Sequence, residues 1–299
     1  MTEIIAVVGP TASGKSSLAI ELAKWIGDAE IINADAMQLY RGMDIGTAKL
    51  NQQQMQGVQH HLLSVVDPTE DLTAVGYREM FDAALEKISA SGKTAIVVGG
   101  STLYLASALD NLEFAPTDPA LRAQLEAEGE KIGALSMHER LAKLDPIAAE
   151  KIPANNKRRV IRALEVVTLS GKSFASSLPA PSYRRPTIQI AIDVPKQELT
   201  ERIEQRVSAM WEQGLLIEVE QLLAKYGKLS ATAAVAIGYK QAIAQLGGEL
   251  SEAEAIQETS FLTTRYAKKQ RTWFNRDRRI HWLDPKQDLL TQARELIRL

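Results

Sequence analysis

"VVGPTASGKSSLAIELA", residues 7–23, leads from an apolar run through a glycine-rich turn into a helical pattern. The turn has the spacing G-x-x-x-x-G-K-[ST] of a phosphate-binding loop between a strand and a helix. In such a loop, backbone N–H groups bind a phosphate, the lysine neutralises its charge, and the hydroxyl can hold Mg²⁺. We therefore predict an α/β, P-loop NTPase-like fold with Ser16 as a metal ligand. The predicted diphosphate- or nucleotide-binding residues here are Gly9, Pro10, Thr11, Ala12, Ser13, Gly14, Lys15 and Ser16.

The composition limits the class of protein. A chain of 299 residues, 45% of them hydrophobic, can bury a full core in one large domain or two modest ones. The net charge of -2 gives no overall attraction to nucleic acid or membrane, so such binding needs local patches. The lack of cysteine excludes disulfides, Cys-ligated zinc and thiolate catalysis. Because no leader-like segment precedes the loop, we expect a soluble cytoplasmic protein that does not bind membranes, and a monomer by default.

Short apolar runs alternate with helical patterns along most of the chain. This alternation predicts a parallel sheet flanked by helices. The predicted strands are Ile4–Val8, Ile31–Ile32, Ala95–Val98, Ile188–Ile192 and Ile280–Leu283, and the clearest helical patterns cover 16–26, 75–89 and 197–224.

Residues 112–185 differ from the rest of the chain. Amphipathic stretches there are separated by proline and Asp-Pro pairs, which limit helices at their ends, and no convincing strand is present. We predict a helical insertion domain at 112–185, between the third and fourth core strands. The catalytic core then comprises 1–111 and 186–299.

The residues at the ends of the predicted strands indicate the class of reaction in which the phosphate-binding loop takes part. P-loop ATPases usually end a core strand in a carboxylate that helps to hold Mg²⁺, but "AIVVGGSTLYL", residues 95–105, has no acid, which disfavours an ATPase motor. In "EIINADAMQLYRGMDIGTAK", residues 30–49, Asp35 follows Lys15 by about twenty residues and ends a predicted strand. Ligands bind at this edge of open parallel sheets, so Asp35 is a candidate general base or substrate contact. A helix N-cap or an Asx-turn is the structural alternative for Asp35.

Two basic segments are candidate RNA-binding regions. Residues 265–279 contain seven Lys or Arg residues against one acid, Asp277, with aromatic residues between them. This composition suits single-stranded RNA loops, although Trp273 and Phe274 can equally fill the core. In "NNKRRVIRALEVV", residues 155–167, the basic residues form either a solvated helix face or an RNA contact. The neighbouring His60 and His61 predict local hydrogen bonds rather than a metal site.

Seven segments in this order resemble the tRNA dimethylallyltransferase family over nearly the whole chain. They are "GPTASGKS", "NADAMQLYRGMDIGTAK", "HHLLSVVDP", "VVGGSTLY", "RRVIRALEV", "IGYKQA" and "TTRYAKKQRTWFNRD". The long segment after the second strand and the final basic segment are specific to this family. The chain is also similar to adenylate isopentenyltransferases, which act on free nucleotides.

The resemblance implies transfer of a dimethylallyl group from dimethylallyl diphosphate to N6 of the adenosine 3′-adjacent to the anticodon. It implies Mg²⁺ as cofactor and the tRNA anticodon stem-loop as partner, with the phosphate loop holding the donor's diphosphate rather than ATP. It assigns catalytic roles to Asp35 and Ser101, and places Arg265 at the diphosphate. The tRNA-binding residues that it implies are Asp35, Ala36, Met37, Gln38, Ser101, Arg122, Arg158, Arg159, Arg162, Gly238 and Lys240. Ala36 stands where the family often has serine and Ser101 where it usually has threonine, so only the second position keeps a hydroxyl.

Three other functions fit parts of the sequence. Prenyl transfer to free AMP would use the same loop and base, but the two basic segments favour polymeric RNA. A small-molecule P-loop kinase would need an Arg-rich lid, and the arginines of the insertion are instead grouped at 158–162. An RNA-binding protein that uses nucleotide occupancy as a switch would bind without turnover.

Overall fold

The computed structural model of this protein describes residues 4–174 and 181–297. The chain forms two compact units, one from residues 1–111 and 182–299 and the other from 112–181. The chain returns to the first unit slightly before the predicted boundary at 186, because Ser182 accepts a 2.9 Å hydrogen bond from the backbone N–H of Asn111 and Tyr183 forms an antiparallel bridge with Asp110. Residues 175–180 of the predicted insertion lie outside the described residues.

In the described ranges, the first unit contains one parallel sheet of six strands, which confirms the predicted P-loop NTPase-like α/β class. The strand order is β3-β2-β4-β1-β5-β6. The strands are β1 (Ile4–Val8), β2 (Ala29–Asn33), β3 (His60–His61), β4 (Thr94–Gly99), β5 (Thr187–Ile192) and β6 (Ile280–Leu283).

The described helices cover the sheet or build the second unit. They are α1 (Lys15–Ile26), α2 (Ala74–Ala90), α3 (Thr102–Leu109), α4 (Pro119–Leu144), α5 (Pro146–Lys151), α6 (Lys157–Ser170), α7 (Lys196–Glu212), α8 (Leu215–Tyr226), α9 (Tyr239–Leu246), α10 (Glu252–Phe274) and α11 (Leu289–Ile297). None of them is both long enough and apolar enough to cross a lipid bilayer.

Two details of the prediction were wrong. The strand β3 was missed because its two residues are too few to show a periodic pattern, so the insertion follows the fourth strand in chain order instead of the third. The predicted helix at 197–224 is two helices, α7 and α8. Gly214 breaks it with a left-handed backbone, φ 96°.

Strand β1 lies inside the sheet and sets the positions of the functional loops. All five of its residues are buried, as expected for a parallel strand that is covered on both faces. Val8 pairs with Gly99 of β4 on one side and with Ala191 of β5 on the other, and Asn33 of β2 pairs with Val98. The loops after β1, β2 and β4 therefore leave the sheet at the same edge, where ligands bind in this class of fold.

The described part of the second unit contains α4, α5 and α6 and no strand. Asp118, Asp145 and Asn156 accept backbone N–H groups at the helix starts, and Pro119 and Pro146 occupy first positions. The Asp-Pro pairs thus begin helices, and α4 is kinked at a non-helical glycine, Gly133. The buried core includes Leu125, Met137, Leu141, Ala148, Ile152, Val160 and Leu164.

Glu165 holds the second unit together at its centre. Its side chain is fully buried and accepts hydrogen bonds from Arg122 at 2.7 Å and from Arg162 at 2.7 Å. It also accepts from Thr117 at 2.8 Å and from the backbone N–H of Asp118 at 2.9 Å. Burial alone would raise the pKa of Glu165, but these donors outweigh it and lower the pKa to about 2. An ionised carboxylate therefore ties the start of α4 to α6.

We expect this carboxylate to make stability depend on acid pH. Because its folded pKa of about 2 lies below the ordinary value of 4.5, its contribution is complete above pH 4.5 and is lost as the pH falls towards 2. The shift corresponds to roughly 3 kcal/mol. Urea unfolding from pH 6 to pH 2.5 should therefore give a shallower loss of stability for Glu165→Gln than for the wild type.

Glu130→Gln is the matched control, since Glu130 is exposed on α4 and lies 3.7 Å from Lys157. This variant should follow the wild-type pH curve. An unchanged slope in Glu165→Gln would contradict the role assigned to Glu165.

Candidate active site

The phosphate-binding loop joins β1 to α1 in the predicted place. Gly9 and Gly14 both have positive φ, 131° and 92°, which only glycine adopts without strain. Gly14 precedes α1, and no side chain caps the helix start. The uncapped N-terminus and the surrounding loop form an anion-binding concavity.

Lys15 and Ser13 of this loop are both able to bind an anion. Lys15 donates from Nζ to the carbonyl oxygen of Pro10 at 2.6 Å. Burial lowers its pKa to about 8, with Arg206 acting in the same direction and Asp35 opposing it. The buried hydroxyl of Ser13 makes no hydrogen bond to any residue in the described ranges. A diphosphate would satisfy both groups, so these residues fit the ligand that the sequence predicts.

Arg206 is a component of the site that the sequence analysis missed. From α7 it donates to the hydroxyl of Thr11 at 3.2 Å, and Arg202, one turn earlier, approaches the carbonyl of Ala12 at 3.5 Å. Burial lowers the pKa of Arg206, while Asp35 opposes the shift. The signal was present as "RIEQR", residues 202–206, which places two arginines on one face of a helix.

Asp35 lies at the carboxyl end of β2 and lines the same cavity as Lys15. Its Oδ1 accepts from the backbone N–H of Met37 at 3.0 Å, so the Asx-turn alternative is confirmed. Asn33 holds the backbone of Asp35 through two hydrogen bonds of 3.0 Å. Burial raises the pKa of Asp35, and the Met37 N–H and Lys15 offset part of the rise. A fixed carboxyl with a raised pKa has the properties of a general base.

Ser101 is brought beside Asp35 by close backbone packing. It precedes α3 but makes no side-chain cap there, because its Oγ accepts from the backbone N–H of Ala36 at 2.9 Å. A Cβ at Gly99 would lie 2.1 Å from the carbonyl oxygen of Ala34, so the two chain segments touch where no side chain fits. The double glycine at the end of β4, Gly99 and Gly100, therefore sets the position of Ser101.

The residues after Asp35 form a short 3-10 turn, Met37–Leu39. Ala36 and Met37 are partly buried against the core. Gln38 donates a hydrogen bond from Nε2 to the carbonyl oxygen of Thr47 at 3.0 Å, so its amide nitrogen is already hydrogen-bonded within the protein. RNA contacts by these residues stay predictions.

The cavity has a volume of about 200 Å³ and a mixed lining of polar and apolar residues. The polar lining includes the phosphate loop, Asp35, Gln38 and Arg206. The apolar lining includes Ile31, Ala48, Leu50, Leu63 and Val98.

Arg265, predicted at the diphosphate, is exposed, and its guanidinium lies 5.5 Å from the centre of the Phe261 ring. It does not belong to the cavity lining described above. Gly238 and Lys240 lie at the start of α9. In the second unit, Arg158 and Arg159 are exposed on α6, whereas Arg122 and Arg162 bind Glu165. No contact described here tests diphosphate or tRNA binding by these residues, and both remain predictions.

Several residues of the final basic segment, 265–279, have structural roles. Phe274 is fully buried, and Trp273 packs edge-to-face against it, which confirms the core alternative for both rings. Arg271 pairs with Asp193, and Arg279 pairs with Asp110 at 2.6 Å. The exposed basic residues of the segment are Arg265, Lys268, Lys269, Arg276 and Arg278.

The two histidines make the predicted local hydrogen bonds. Nδ1 of His60 lies 2.8 Å from the carbonyl oxygen of Val58, and Nε2 of His61 lies 2.6 Å from Glu30. Within residues 4–174 and 181–297, no group of three or more histidine, aspartate or glutamate side chains is placed to hold a metal ion. A metal at the phosphate loop would therefore take ligands from a bound diphosphate as well as from Ser16.

Comparison with known proteins identifies similar sequences over the full chain. A family model described as IPP transferase matches residues 38–277. A tRNA dimethylallyltransferase of Kineococcus radiotolerans is 46% identical over 99% of this chain and 96% of its own length. Another, from Thermobifida fusca, is 47% identical over 99% of this chain and 95% of its own length.

Solved structures show the same fold. A tRNA isopentenylpyrophosphate transferase from Bacillus halodurans aligns with a TM-score of 0.74 at 34% identity, covering 100% of this chain and 96% of that one. A eukaryotic dimethylallyltransferase described as acting on tRNA aligns with a TM-score of 0.79 at 28% identity, covering 98% of this chain and 76% of that one.

We expect inorganic diphosphate to bind most tightly below pH 8. The ammonium of Lys15, with a pKa of about 8, is charged below that pH and neutral above it. The affinity should therefore fall above pH 8, by at most about tenfold per pH unit. Calorimetric titration between pH 6.5 and 9.5 measures this dependence.

Diphosphate itself gains negative charge as the pH rises, which would strengthen binding. A loss of affinity therefore reports on the protein. Lys15→Arg supplies a cation that stays charged over this range and should remove the fall. An affinity that rises or stays constant above pH 8 in the wild type would refute the assignment.

Proposed function

The chain belongs to the IPP transferase family, and from this premise we propose that it transfers a dimethylallyl group from dimethylallyl diphosphate to N6 of the adenosine 3′-adjacent to the tRNA anticodon. It is accordingly a prenyltransferase that modifies tRNA. Relatives 46% and 47% identical over nearly the whole chain carry the name tRNA dimethylallyltransferase.

One observation on this chain's own residues supports prenyl transfer as the reaction. Lys15 of an anion-binding loop and Asp35, a carboxyl with a raised pKa, line one cavity whose lining also contains apolar side chains. A diphosphate with a short hydrocarbon group needs both kinds of lining, and an amine nucleophile needs the base. The geometry supports this pairing of ligands better than a nucleotide held for hydrolysis.

The donor's diphosphate would bind in the phosphate loop, with Lys15, Arg206 and the hydroxyl of Ser13 as its partners. During the reaction the bond between the allylic carbon and the bridging oxygen breaks, and the electron pair stays on that oxygen. Negative charge therefore builds up on the leaving diphosphate. Fixed cations next to it stabilise the transition state. The apolar lining residues, among them Leu50 and Leu63, would contact the dimethylallyl group.

The acceptor amine would approach from the side of Asp35. The lone pair of N6 is delocalised into the adenine ring, so the amine is a poor nucleophile until its proton is removed. The new bond joins N6 to the allylic carbon, and the N6 proton passes to the Asp35 carboxylate. The Met37 N–H holds that carboxylate, Asn33 holds the backbone of Asp35, and Ser101 holds the backbone N–H of Ala36. The target base would have to leave its stack to reach the cavity.

Mg²⁺ fits this site as a cofactor shared with the donor. The Ser16 hydroxyl would hold it together with diphosphate oxygens, since the described residues provide no carboxylate cluster. When bound, the ion neutralises charge on the leaving group.

The contacts to the anticodon stem-loop belong to the proposal as well. Exposed Arg158 and Arg159 at the start of α6, and the exposed cations of α10, are available to phosphates. We also propose that the protein acts as a monomer, in the cytoplasm, where its RNA substrate is found.

Wild-type protein should add one prenyl mass to the adenosine 3′ of the anticodon in unmodified tRNA. The reaction would contain Mg²⁺ and dimethylallyl diphosphate, with AMP or ATP offered in parallel, and the nucleosides would be analysed by mass spectrometry after digestion. Prenyl transfer to AMP alone would instead assign the chain to the free-nucleotide enzymes. ATP consumption with a phosphorylated product would favour a kinase, and binding without turnover a nucleotide switch.

Replacing Asp35 by Asn should slow transfer about 10²- to 10⁴-fold, the usual contribution of a general base. The amide keeps an oxygen for the Met37 N–H, so tRNA affinity should be retained. Single-turnover rates and tRNA dissociation constants, measured together, separate these effects.

Asp28→Asn provides the matched control, because Asp28 is exposed ahead of β2. Its rate should equal that of the wild type. Near-normal turnover of Asp35→Asn with tRNA bound would remove Asp35 from the role of base.

A further inference from the structure

Gln270 connects helix α10 to the phosphate loop and to the end of β4. Its side chain is 2% exposed, and its amide makes two hydrogen bonds in opposite directions. Nε2 donates to the carbonyl oxygen of Gly100 at 2.8 Å, and Oε1 accepts from the backbone N–H of Thr11 at 2.9 Å. One side chain thus joins the diphosphate loop to the segment that carries Ser101.

The fit of this amide is close. A Cβ at Gly100 would lie 2.4 Å from Nε2 of Gln270 and 2.9 Å from the carbonyl oxygen of Gly9. Only glycine therefore allows the amide, the loop and the strand end to meet. The amide fixes the backbone directly before Ser101, whose hydroxyl holds the N–H of Ala36, next to Asp35.

Tyr266 lies one turn before Gln270 on α10 and approaches the same place. Its hydroxyl lies near the Ser101 hydroxyl and the Gln270 amide. Burial, together with the Asp35 carboxylate, raises the pKa of Tyr266 to about 12, although the Ser101 and Gln270 side chains act in the opposite direction. The phenol is therefore protonated at neutral pH, close to the proposed base. The ring remains 38% exposed.

We infer that Gln270 and Tyr266 are positioning residues that set the distance between the donor's diphosphate and the base for the acceptor amine. This inference rests on the proposed function. Gln270 fixes the phosphate loop relative to Gly100 through its two hydrogen bonds, and Tyr266, one turn earlier on the same helix, lies near Ser101 and the Gln270 amide. Neither side chain has to touch the reacting atoms. The reaction needs the allylic carbon and N6 in line at short range, and a misplacement of about 1 Å can cost on the order of 10²-fold in rate.

The test measures chemistry and binding separately. Gln270→Met keeps the length of the side chain and removes both hydrogen bonds, and Tyr266→Phe keeps the ring and removes the hydroxyl. Each variant should lower the single-turnover rate of prenyl transfer about tenfold to a hundredfold. The tRNA dissociation constant and the thermal midpoint should stay near the wild-type values for Tyr266→Phe. Gln257→Met, at an exposed position on the same helix, is the matched control and should react at the wild-type rate.

The outcomes separate this inference from the proposed function. If the wild type transfers no prenyl group to tRNA, the proposed function fails. If the wild type transfers it and both folded variants react at the wild-type rate, the positioning role is overturned. A rate loss explained by an equal loss of tRNA affinity also overturns it, because Tyr266 would then be an RNA contact. If Gln270→Met does not fold, the test rests on Tyr266→Phe. A slower single-turnover rate of this variant supports the positioning role, and an unchanged rate refutes it.

Discussion

Close backbone packing at Gly99 and Gly100 is the constraint on which the candidate site depends. At Gly99 the chain touches the carbonyl of Ala34 at the end of β2, and at Gly100 it touches both the phosphate loop and the amide of Gln270. Segments from four distant parts of the sequence therefore meet where no side chain intervenes. A larger residue at Gly99 would push against the segment after β2 that carries Asp35, and a larger residue at Gly100 would push against the phosphate-binding loop.

The electrostatics of the cavity follow from this crowding. Lys15, Asp35 and Arg206 are half-buried at one cavity, and burial shifts the pKa of each towards the neutral form. The attraction between Asp35 and the two cations offsets only part of the shift. The site thus holds two cations and one anion that are partly withdrawn from solvent, together with a Ser13 hydroxyl that has no hydrogen-bond partner among the described residues. A ligand that brings negative charge and leaves the carboxylate accessible relieves this cost, whereas a neutral ligand does not.

The sequence predicted the features that are encoded locally. Gly14 and Lys15 fall in a motif with a fixed spacing, and the apolar run of β1 predicted a buried parallel strand. Features formed by distant contacts were missed. Arg206 and Gln270 lie on helices whose position is known only after folding, and the two-residue strand at His60–His61 exists because β2 offers it a partner. The diphosphate contact predicted for Arg265 from its place in a family segment stays a prediction, since the structure shows this residue exposed beside the Phe261 ring and without a ligand contact that would test it.

The order of the strands has a consequence for synthesis on the ribosome. Strand β1 emerges first, yet one of its two neighbours is β5, which pairs Ile4 with Thr187 only after the whole second unit has been made. The five apolar residues of β1 therefore lack the β5 neighbour while more than half of the chain is translated. Slow or paused elongation within the insertion would prolong the exposure of that strand. A strand that lacks one of its neighbours for this long has more time to pair wrongly than a strand whose partners are adjacent in sequence.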